Sequence, residues 1–345
     1  MKEVIESIRL TSLSHSSGCG CKVNASGLSE ILNGLRNTTG FQEIKSHEDA
    51  SIYTLSEEDS LLASLDFFMP IVDDEFDFGA IAAANALSDI YAMGGYPIQA
   101  LSILGWPVSR ISAQRASRVL EGAEHICNQA GISISGGHTI DSHEPFFGLS
   151  VNGLVKNRFI KKNSGPQQGD LLFLTKPIGS GMLMSALKKG KQNINFNSTI
   201  GKMKQLNSIG AQLGKINGVH AMTDITGFGL LGHAAEMTGQ EKITLNIEFK
   251  NIPFYEGVNE CMQSFIYPDI TTSNFNWIKD KVNELSAEAL FLLCDPQTSG
   301  GLLIAASPES APDVQNLLRQ HDCYEFPVGK FDSWNGKPIF VKDTL

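Results

Sequence analysis

Residues 76–95 read FDFGAIAAANALSDIYAMGG and form the clearest helical pattern in the chain. Apolar and small residues are dense enough along this stretch to predict a helix that is buried on all sides. Gly94 and Gly95 end the pattern, as glycines commonly do at the C-terminal end of a helix. Asn85 and Asp89 stand four residues apart and therefore share one helical face. The stretch predicts a core helix that carries two polar groups on one side.

Carboxylates recur in apolar settings just before this helix and within it. Asp49 precedes a short apolar strand, Asp66 interrupts the strand pattern LLASLDFFMP, and Asp89 lies in the helix. Each of them alone is compatible with an outward-facing or satisfied polar group. Taken together they favour a site for a hard cation such as Mg²⁺, because a buried carboxylate is costly unless it is paired or bound to metal.

Residues 14–22 read SHSSGCGCK and place two thiols one residue apart, between glycines and next to a lysine. A neighbouring cation favours the thiolate of Cys19, so this loop predicts soft-ligand chemistry. Three other interpretations stay open on the residues alone. They are a zinc site with His15, a redox disulfide between Cys19 and Cys21, and a flexible N-terminal tail.

Glycine-containing motifs recur further along the chain. The stretch ISISGGHT predicts a strand followed by a glycine turn that can cradle phosphate, and MTDITGFGLLGH and LLCDPQTSGGLL predict strand-to-glycine-to-helix elements. Strands and helices are interleaved, but several strands follow one another closely. This arrangement favours an α+β fold over a doubly wound parallel sheet. The polar residues 156–169 predict a domain junction.

Composition narrows the class of protein. The chain has 345 residues, 42% hydrophobic and 19% charged, which is typical of a globular protein with room for two domains. Its net charge of −10 and the absence of a basic run argue against nucleic acid as a partner. The N-terminus lacks a signal-peptide pattern, no apolar run is long enough to span a membrane, and six scattered cysteines suggest no disulfide framework. We therefore expect a cytoplasmic protein.

The motifs SHSSGCGCK, LDFFMPIVDD, FDFGAIAAANALSDIYAMGG, ISGGHTID, MTDITGFGLLGH and LCDPQTSGGLL together resemble selenophosphate synthetase (selenide, water dikinase). The resemblance runs from about Arg9 to about Gly336. The glycine-rich helix and the later motifs are similar to those of the wider aminoimidazole ribonucleotide synthetase-like superfamily. The Gly-Cys-Gly-Cys-Lys loop distinguishes this family within it.

The resemblance implies a two-domain α+β fold of the aminoimidazole ribonucleotide synthetase-like type. Residues 1–156 would bind ATP and form a homodimer whose N-terminal sheets join into a barrel, with a mobile loop at residues 12–24. Residues 157–345 would form an α/β sandwich. The implied reaction converts ATP, selenide and water into selenophosphate, AMP and orthophosphate, and the product donates selenium for selenocysteine and selenouridine synthesis.

The resemblance also implies roles for individual residues. Cys19 would be the catalytic thiol and Lys22 its essential neighbour, while Asp49, Asp89 and Asp224 would bind Mg²⁺. The implied ATP contacts are Lys22, Ser46, His47, Glu48, Asp66, Asp89, Gly137, His138 and Thr139. Glu48 stands where the family often has Asp. K⁺ as an activator and a protein that delivers selenium are further implications.

Two other functions compete with this interpretation. Another ATP-dependent member of the superfamily, such as a small-molecule kinase, would release ADP and need no thiol. A non-catalytic metal or redox sensor built on His15, Cys19 and Cys21 would bind zinc and would not depend on Asp49 or Asp89.

Overall fold

The structure is a computed structural model that describes residues 8–23, 27, 28, 30, 31, 48–239 and 242–342, and the elements below are numbered within these residues. The first sheet consists of β1 (Ser51–Thr54), β2 (Asp59–Phe68), β3 (Tyr96–Trp106), β4 (Ile134–Asp141) and β5 (Phe146–Lys156). The second consists of β6 (Leu171–Leu174), β7 (Val219–Asp224), β8 (Ile243–Glu248), β9 (Leu302–Ala306), β10 (Gly329–Ser333) and β11 (Ile339–Lys342). The α-helices are α1 (Glu75–Ala92), α2 (Ala113–Gln129), α3 (Ser180–Lys188), α4 (Asn197–Lys204), α5 (Gly210–Leu213), α6 (Gly229–Thr238), α7 (Val258–Gln263), α8 (Ile270–Ile278), α9 (Ala287–Leu293) and α10 (Ala311–Gln320). None of these helices is long and apolar enough to cross a membrane.

The first sheet has the strand order β1-β2-β5-β3-β4 and is antiparallel except for the parallel pair β3 and β4. Side chains alternate between its two faces, as strand geometry requires. Leu62 and Phe68 of β2 are buried, whereas Leu65 and Phe67 are exposed on the opposite face. The sheet is therefore apolar on both faces, and α1 packs against the inner one.

The core helix predicted at residues 76–95 is α1. Asp74 caps its N-terminus, since the side chain accepts a hydrogen bond from Asp77 N. Gly94 adopts a left-handed φ of +78° just beyond its C-terminal end. The helix buries 14 of its residues, including Asn85, which agrees with the dense apolar pattern in the sequence.

Two glycines allow α1 and α2 to cross at close range. A Cβ on Gly79 would lie 1.8 Å from Val119 O, and a Cβ on Gly122 would lie 1.9 Å from Phe76 O. Any side chain at either position would collide with the backbone of the neighbouring helix. This crossing fixes the position of α1, and with it the polar groups that α1 carries.

The second sheet has the order β11-β8-β10-β6-β9-β7 and combines one parallel pair, β11 and β8, with antiparallel pairs. Alternate residues of β6 enter two separate apolar clusters. Leu172 and Leu174 pack with α6, and Phe173 packs with α5 and α10. Both faces of this sheet are therefore covered by helices.

Two sequence predictions about glycines were wrong. Gly136 and Gly137 lie inside β4 and not in a turn, and a Cβ on Gly137 would be 2.2 Å from Ser102 O. Gly137 therefore allows the close approach of β4 to β3. The stretch LLCDPQTSGGLL also runs in the opposite order, because α9 precedes the glycines and β9 follows them. A short apolar run does not by itself distinguish a buried helix from a buried strand.

Candidate active site

A cavity of about 280 Å³ receives residues from both sheets, and acidic side chains dominate its lining. Asp66 comes from β2, Asp89 from α1 and Asp224 from the end of β7. The complete set of acidic lining residues is Glu48, Asp49, Asp66, Asp89, Asp224 and Glu236. Lys22 and His233 are the basic residues in the lining. The cavity therefore has a strong excess of negative charge and is suited to a cationic ligand.

The carboxylates in this cavity are desolvated and repel one another. Burial, followed by the charge of Asp224, raises the pKa of Asp49 and of Asp89 well above the usual range of an aspartate. Burial also raises the pKa of Asp224, although a hydrogen bond from Ser88 and the charge of His233 oppose the shift. Like charges held together in this way favour a cation that can neutralise them.

Two carboxylate oxygens in the cavity lack a hydrogen-bond partner. Asp49 Oδ1 accepts from Asn163 Nδ2 and Thr223 Oγ1, both at 2.9 Å, whereas Asp49 Oδ2 is buried and unpaired. Asp224 Oδ2 is buried and unpaired as well. A buried unpaired oxygen is costly, and a hard divalent cation bonded to it would remove that cost. The donor set therefore fits Mg²⁺.

The side chains alone do not complete a metal centre. Within the described ranges, no group of three or more His, Cys, Asp or Glu side chains is arranged closely enough to hold a metal ion unaided. Mg²⁺ typically takes only one or two carboxylates and completes its shell with water and phosphate oxygens. The arrangement is therefore suited to a cation that arrives with a phosphate ligand.

The Cys19 loop is docked against the protein in this structure. Gly18 N donates to Met69 O at 3.0 Å, and Cys19 N donates to Thr298 Oγ1 at 3.0 Å. Cys19 itself is 0% exposed, and its Sγ donates to Asn85 Oδ1 at 3.4 Å. The loop thus connects β2, α1 and the loop before β9.

Burial changes the expected protonation of the thiol. The sequence predicted a thiolate at Cys19 because Lys22 follows it closely. In the structure, desolvation raises the pKa of Cys19 far above its usual value, and the opposing effect of the Lys22 charge is smaller. That prediction was therefore wrong for the docked loop, in which Cys19 is a protonated thiol.

Lys22 points into the acidic cavity. Its Nζ donates to Asp66 Oδ2 at 3.0 Å. Burial acts to lower the pKa of Lys22, but the surrounding negative charge, chiefly that of Asp66, outweighs burial and raises the pKa. The side chain is therefore a stable ammonium ion at the edge of the carboxylate cluster.

Asn85 joins these parts of the site. Its Nδ2 donates to Asp66 Oδ2 at 2.5 Å, and its Oδ1 accepts both from Cys19 Sγ and from Ser299 N, the latter at 2.8 Å. The sequence pattern places Asn85 on one helical face with Asp89, but no site role was predicted for Asn85. That four-residue spacing was the available signal.

His233 and Glu236 were also missed, since nothing in the sequence distinguished them. His233 Nε2 accepts from Thr226 N at 3.0 Å, and His233 Nδ1 lies 3.3 Å from Glu236 Oε2. The first contact assigns the ring proton to Nδ1, which lies near Glu236 but has no hydrogen-bond partner among the described residues. Both side chains line the cavity beside Asp224.

The remaining predicted residues do not all meet at the cavity. Glu48 lines it, and Glu48 Oε2 accepts from Asn163 N at 2.8 Å. Gly137, His138 and Thr139 are instead exposed on the edge strand β4 and are absent from the lining. The predicted ATP contacts Ser46 and His47 lie outside the described residues.

The alternative zinc site finds no support within the described part of the chain. His15 is exposed, and its Nδ1 lies 2.9 Å from Glu144 Oε1, while Cys19 faces Asn85. Cys19 and Cys21 are both free thiols.

Comparison with known proteins gives consistent matches over the whole chain. Residues 47–155 match the family model for the N-terminal domain of AIR synthase related proteins, and residues 167–334 match the C-terminal domain model. The selenide, water dikinase of Pseudomonas aeruginosa is 43% identical over 334 residues, covering 94% of this chain and 96% of that protein. The selenide, water dikinase of Yersinia pseudotuberculosis is 42% identical over 340 residues, covering 97% of this chain and 98% of that protein.

Solved structures share the fold at low sequence identity. Thiamine monophosphate kinase from Aquifex aeolicus has a TM-score of 0.65 at 15% identity, covering 93% of this chain and 97% of that one. Hydrogenase maturation protein HypE in complex with ATP has a TM-score of 0.65 at 16% identity, covering 99% of this chain and 91% of that one. These neighbours establish the two-domain α+β fold with mixed sheets.

Proposed function

This chain belongs to the selenide, water dikinase family, and from that premise we propose how its residues carry the reaction. The enzyme makes selenophosphate from ATP, selenide and water, and releases AMP and orthophosphate. The observation that carries this conclusion is the identity of more than 40% with curated relatives over nearly the full length. Within the wider superfamily, the docked Cys19 and Lys22 loop beside the acidic cavity favours a soft, selenium-containing acceptor.

Mg²⁺ bound with ATP would occupy the acidic cavity. Asp49, Asp89 and Asp224 would hold it, and the two unpaired carboxylate oxygens support this assignment. When bound, the cation would neutralise the charge of the triphosphate. Glu48 and Asp66 would lie beside the nucleotide, and Ser46 and His47 complete the proposed contacts in the segment before β1. K⁺ as an activator stays part of the proposal.

Lys22 would stabilise charge on the transferred phosphoryl group. Its ammonium group lies 3.0 Å from Asp66, and Lys22 is the one lysine that lines the cavity among the residues that the structure describes. Phosphoryl transfer requires positioning and charge neutralisation more than covalent chemistry. The ammonium group of Lys22, held at the edge of the acidic cavity, would supply both positioning and charge neutralisation.

Cys19 would orient the selenium while the docked loop excludes water. Selenide is a strong nucleophile on its own, so Cys19 needs no thiolate to activate it. The fully buried position of Cys19 supports a closed state of the loop over residues 12–24. The closed loop would cover ATP and keep water from the γ-phosphoryl group until selenide has attacked.

A homodimer would complete the nucleotide site. The outer face of the first sheet exposes large apolar side chains, including Tyr53 at 67%, Leu65 at 55% and Tyr96 at 55%. An exposed apolar face of this kind is typical of an interface. The strand register places His138 on this same face, since it pairs with Ile103, which pairs with Gly148 opposite Phe67.

The joining of two such sheets into a barrel would carry residues 137–139 toward the ATP of the partner subunit. We also propose the domain division at residues 1–156 and 157–345, which is supported by the end of β5 at Lys156. The helices on both faces of the second sheet are consistent with an α/β sandwich. A protein that delivers selenium remains a proposed partner.

Anaerobic ³¹P NMR with Mg·ATP, with and without selenide, tests the function. We expect a selenium-coupled phosphorus signal together with AMP and orthophosphate. Accumulation of ADP without selenium coupling would contradict the assignment and favour another kinase of the superfamily. Cys19→Ser should abolish selenophosphate formation and keep nucleotide binding, because a serine hydroxyl fits the same bond to Asn85. Cys21→Ser is the matched control and should retain activity.

A further inference from the structure

A second cavity lies on the other side of the Cys19 loop. It has a volume of about 310 Å³, and Gly20, the residue after Cys19, forms part of its wall. Thr298 also lines it, and Thr298 Oγ1 accepts the hydrogen bond from Cys19 N. The Cys19 loop therefore separates two cavities, with Lys22 in the lining of the acidic one and Gly20 in the lining of this one.

The two cavities differ in charge. His15, Lys188 and Lys189 line the second cavity, and Asp269 is the one carboxylate in its lining. The acidic cavity carries six carboxylates against Lys22 and His233. A small anion approaching Cys19 would be repelled on the acidic side and attracted on the other.

The second cavity also offers soft and apolar surface. Met184 of α3, Ile71 and Tyr267 line it together with the aliphatic stem of Lys188. Polarizable thioether and aromatic groups suit a large, polarizable atom such as selenium. The Lys188 Nζ donates to Ser14 O at 3.0 Å, so one of these cations already contacts the loop that carries Cys19.

We infer that this cavity admits the selenium substrate to Cys19 from the side opposite the nucleotide. The ligand class is a terminal selenium anion, either free hydrogen selenide or a perselenide RSSe⁻ on a small thiol, from which a second free thiol releases hydrogen selenide as the disulfide RSSR forms. The inference rests on the proposed function. Mg·ATP would fill the acidic cavity during turnover, so a separate route lets the second substrate reach Cys19 while ATP is bound.

Steady-state kinetics of two charge-reversal variants test the route. Lys189→Glu changes an exposed lining residue, and Lys191→Glu makes the same change two residues later, outside the lining. We expect Lys189→Glu to raise KM for hydrogen selenide about tenfold and to leave KM for ATP within about twofold. Lys191→Glu should leave both constants unchanged. The difference in KM for hydrogen selenide between Lys189→Glu and the wild-type enzyme should shrink at high ionic strength, because exposed charges are screened.

A steric variant distinguishes the two sources of selenium. Ser185→Trp would place an indole in the cavity without changing its charge. With free glutathione present to reduce the perselenide, a greater loss of kcat/KM for glutathione perselenide than for free hydrogen selenide would identify the larger donor as a ligand of the cavity. Equal moderate losses would identify the free anion.

Specific outcomes would overturn the inference. Unchanged KM for selenide in both Lys189→Glu and Ser185→Trp would refute the route, as would an equal rise in KM for ATP. If the wild-type enzyme makes selenophosphate and both variants keep its KM for selenide, only the proposed route is wrong. If the wild-type enzyme makes no selenium-coupled product, the proposed function fails as well.

Discussion

Replacement of Asn85 by alanine should release the Cys19 loop. Asn85 is completely buried, and its side chain bonds to Asp66, to Ser299 N and to the Cys19 thiol. Alanine removes all three bonds at once and makes no new one. The loop would keep its other contacts, which include the backbone bond to Met69, the contact of Cys19 N with Thr298 and the ion pair of Lys22 with Asp66, but the Cys19 thiol would lose its partner.

The expected loss of stability follows from the groups left unpaired. A buried backbone N–H without a partner costs about 1–3 kcal/mol, and a hydrogen bond to a carboxylate contributes about 1.5–3 kcal/mol. The thiol is a weak donor and adds little. The free energy of unfolding should therefore fall by about 3–5 kcal/mol, which a protein of ordinary stability survives.

Two measurements separate loop release from general destabilisation. Urea denaturation gives the free energy of unfolding, and alkylation followed by peptide mass spectrometry gives the labelling rate of Cys19. Asn207→Ala is the matched control, since Asn207 Nδ2 donates to Ser88 Oγ at 2.8 Å and Gly300 O at 2.9 Å but does not bond to the loop. We expect Cys19 in Asn85→Ala to react at least about tenfold faster than in Asn207→Ala. Equal labelling rates would refute the view that Asn85 holds the loop.

Two further predictions concern buried charges. Asp49→Asn should stabilise the metal-free protein increasingly as pH rises, because burial and the charge of Asp224 raise the pKa of Asp49 and make its ionised form unfavourable in the folded state. Calorimetry should also show that the variant binds Mg·ATP about tenfold more weakly or worse. An unchanged affinity would show that Asp49 does not belong to the metal site. Burial lowers the pKa of Lys176 to about 7, so the unfolded chain binds more protons than the folded one above pH 7 and stability should rise with pH there. In the wild-type protein, urea denaturation should show that the free energy of unfolding rises by about 2 kcal/mol between pH 7 and pH 9, and Lys176→Met should abolish this rise. If the free energy of unfolding changes with pH equally in the wild-type protein and the variant, Lys176 keeps an ordinary pKa.

The sequence was informative where local pattern and burial agree. The dense apolar stretch at residues 76–95 predicted α1, and the spacing of Asn85 and Asp89 predicted their shared face. The apolar run LLASLDFFMP likewise predicted β2. These features depend on neighbouring residues, which a sequence displays directly.

The errors arose where distant segments meet. Gly136 and Gly137 were interpreted as a turn, but both lie inside β4, where Gly137 allows the close approach to Ser102 on β3. The roles of Asn163 and Glu236 depend on the position of β7 relative to β1 and could not be read from spacing. Non-local packing of this kind leaves no periodic signal in the chain.

The thiol of Cys19 illustrates the same point with a consequence for mechanism. Its neighbour Lys22 favours a thiolate, yet complete burial outweighs that charge and keeps the thiol protonated in the docked loop. A nucleophile that is already an anion does not require a thiolate partner, so burial of Cys19 is compatible with its proposed role. Docking instead places Lys22 against Asp66 and closes the acidic cavity at one edge. In the proposed reaction the loop would link two requirements, since the docking that buries Cys19 also holds Lys22 at the edge of the acidic cavity.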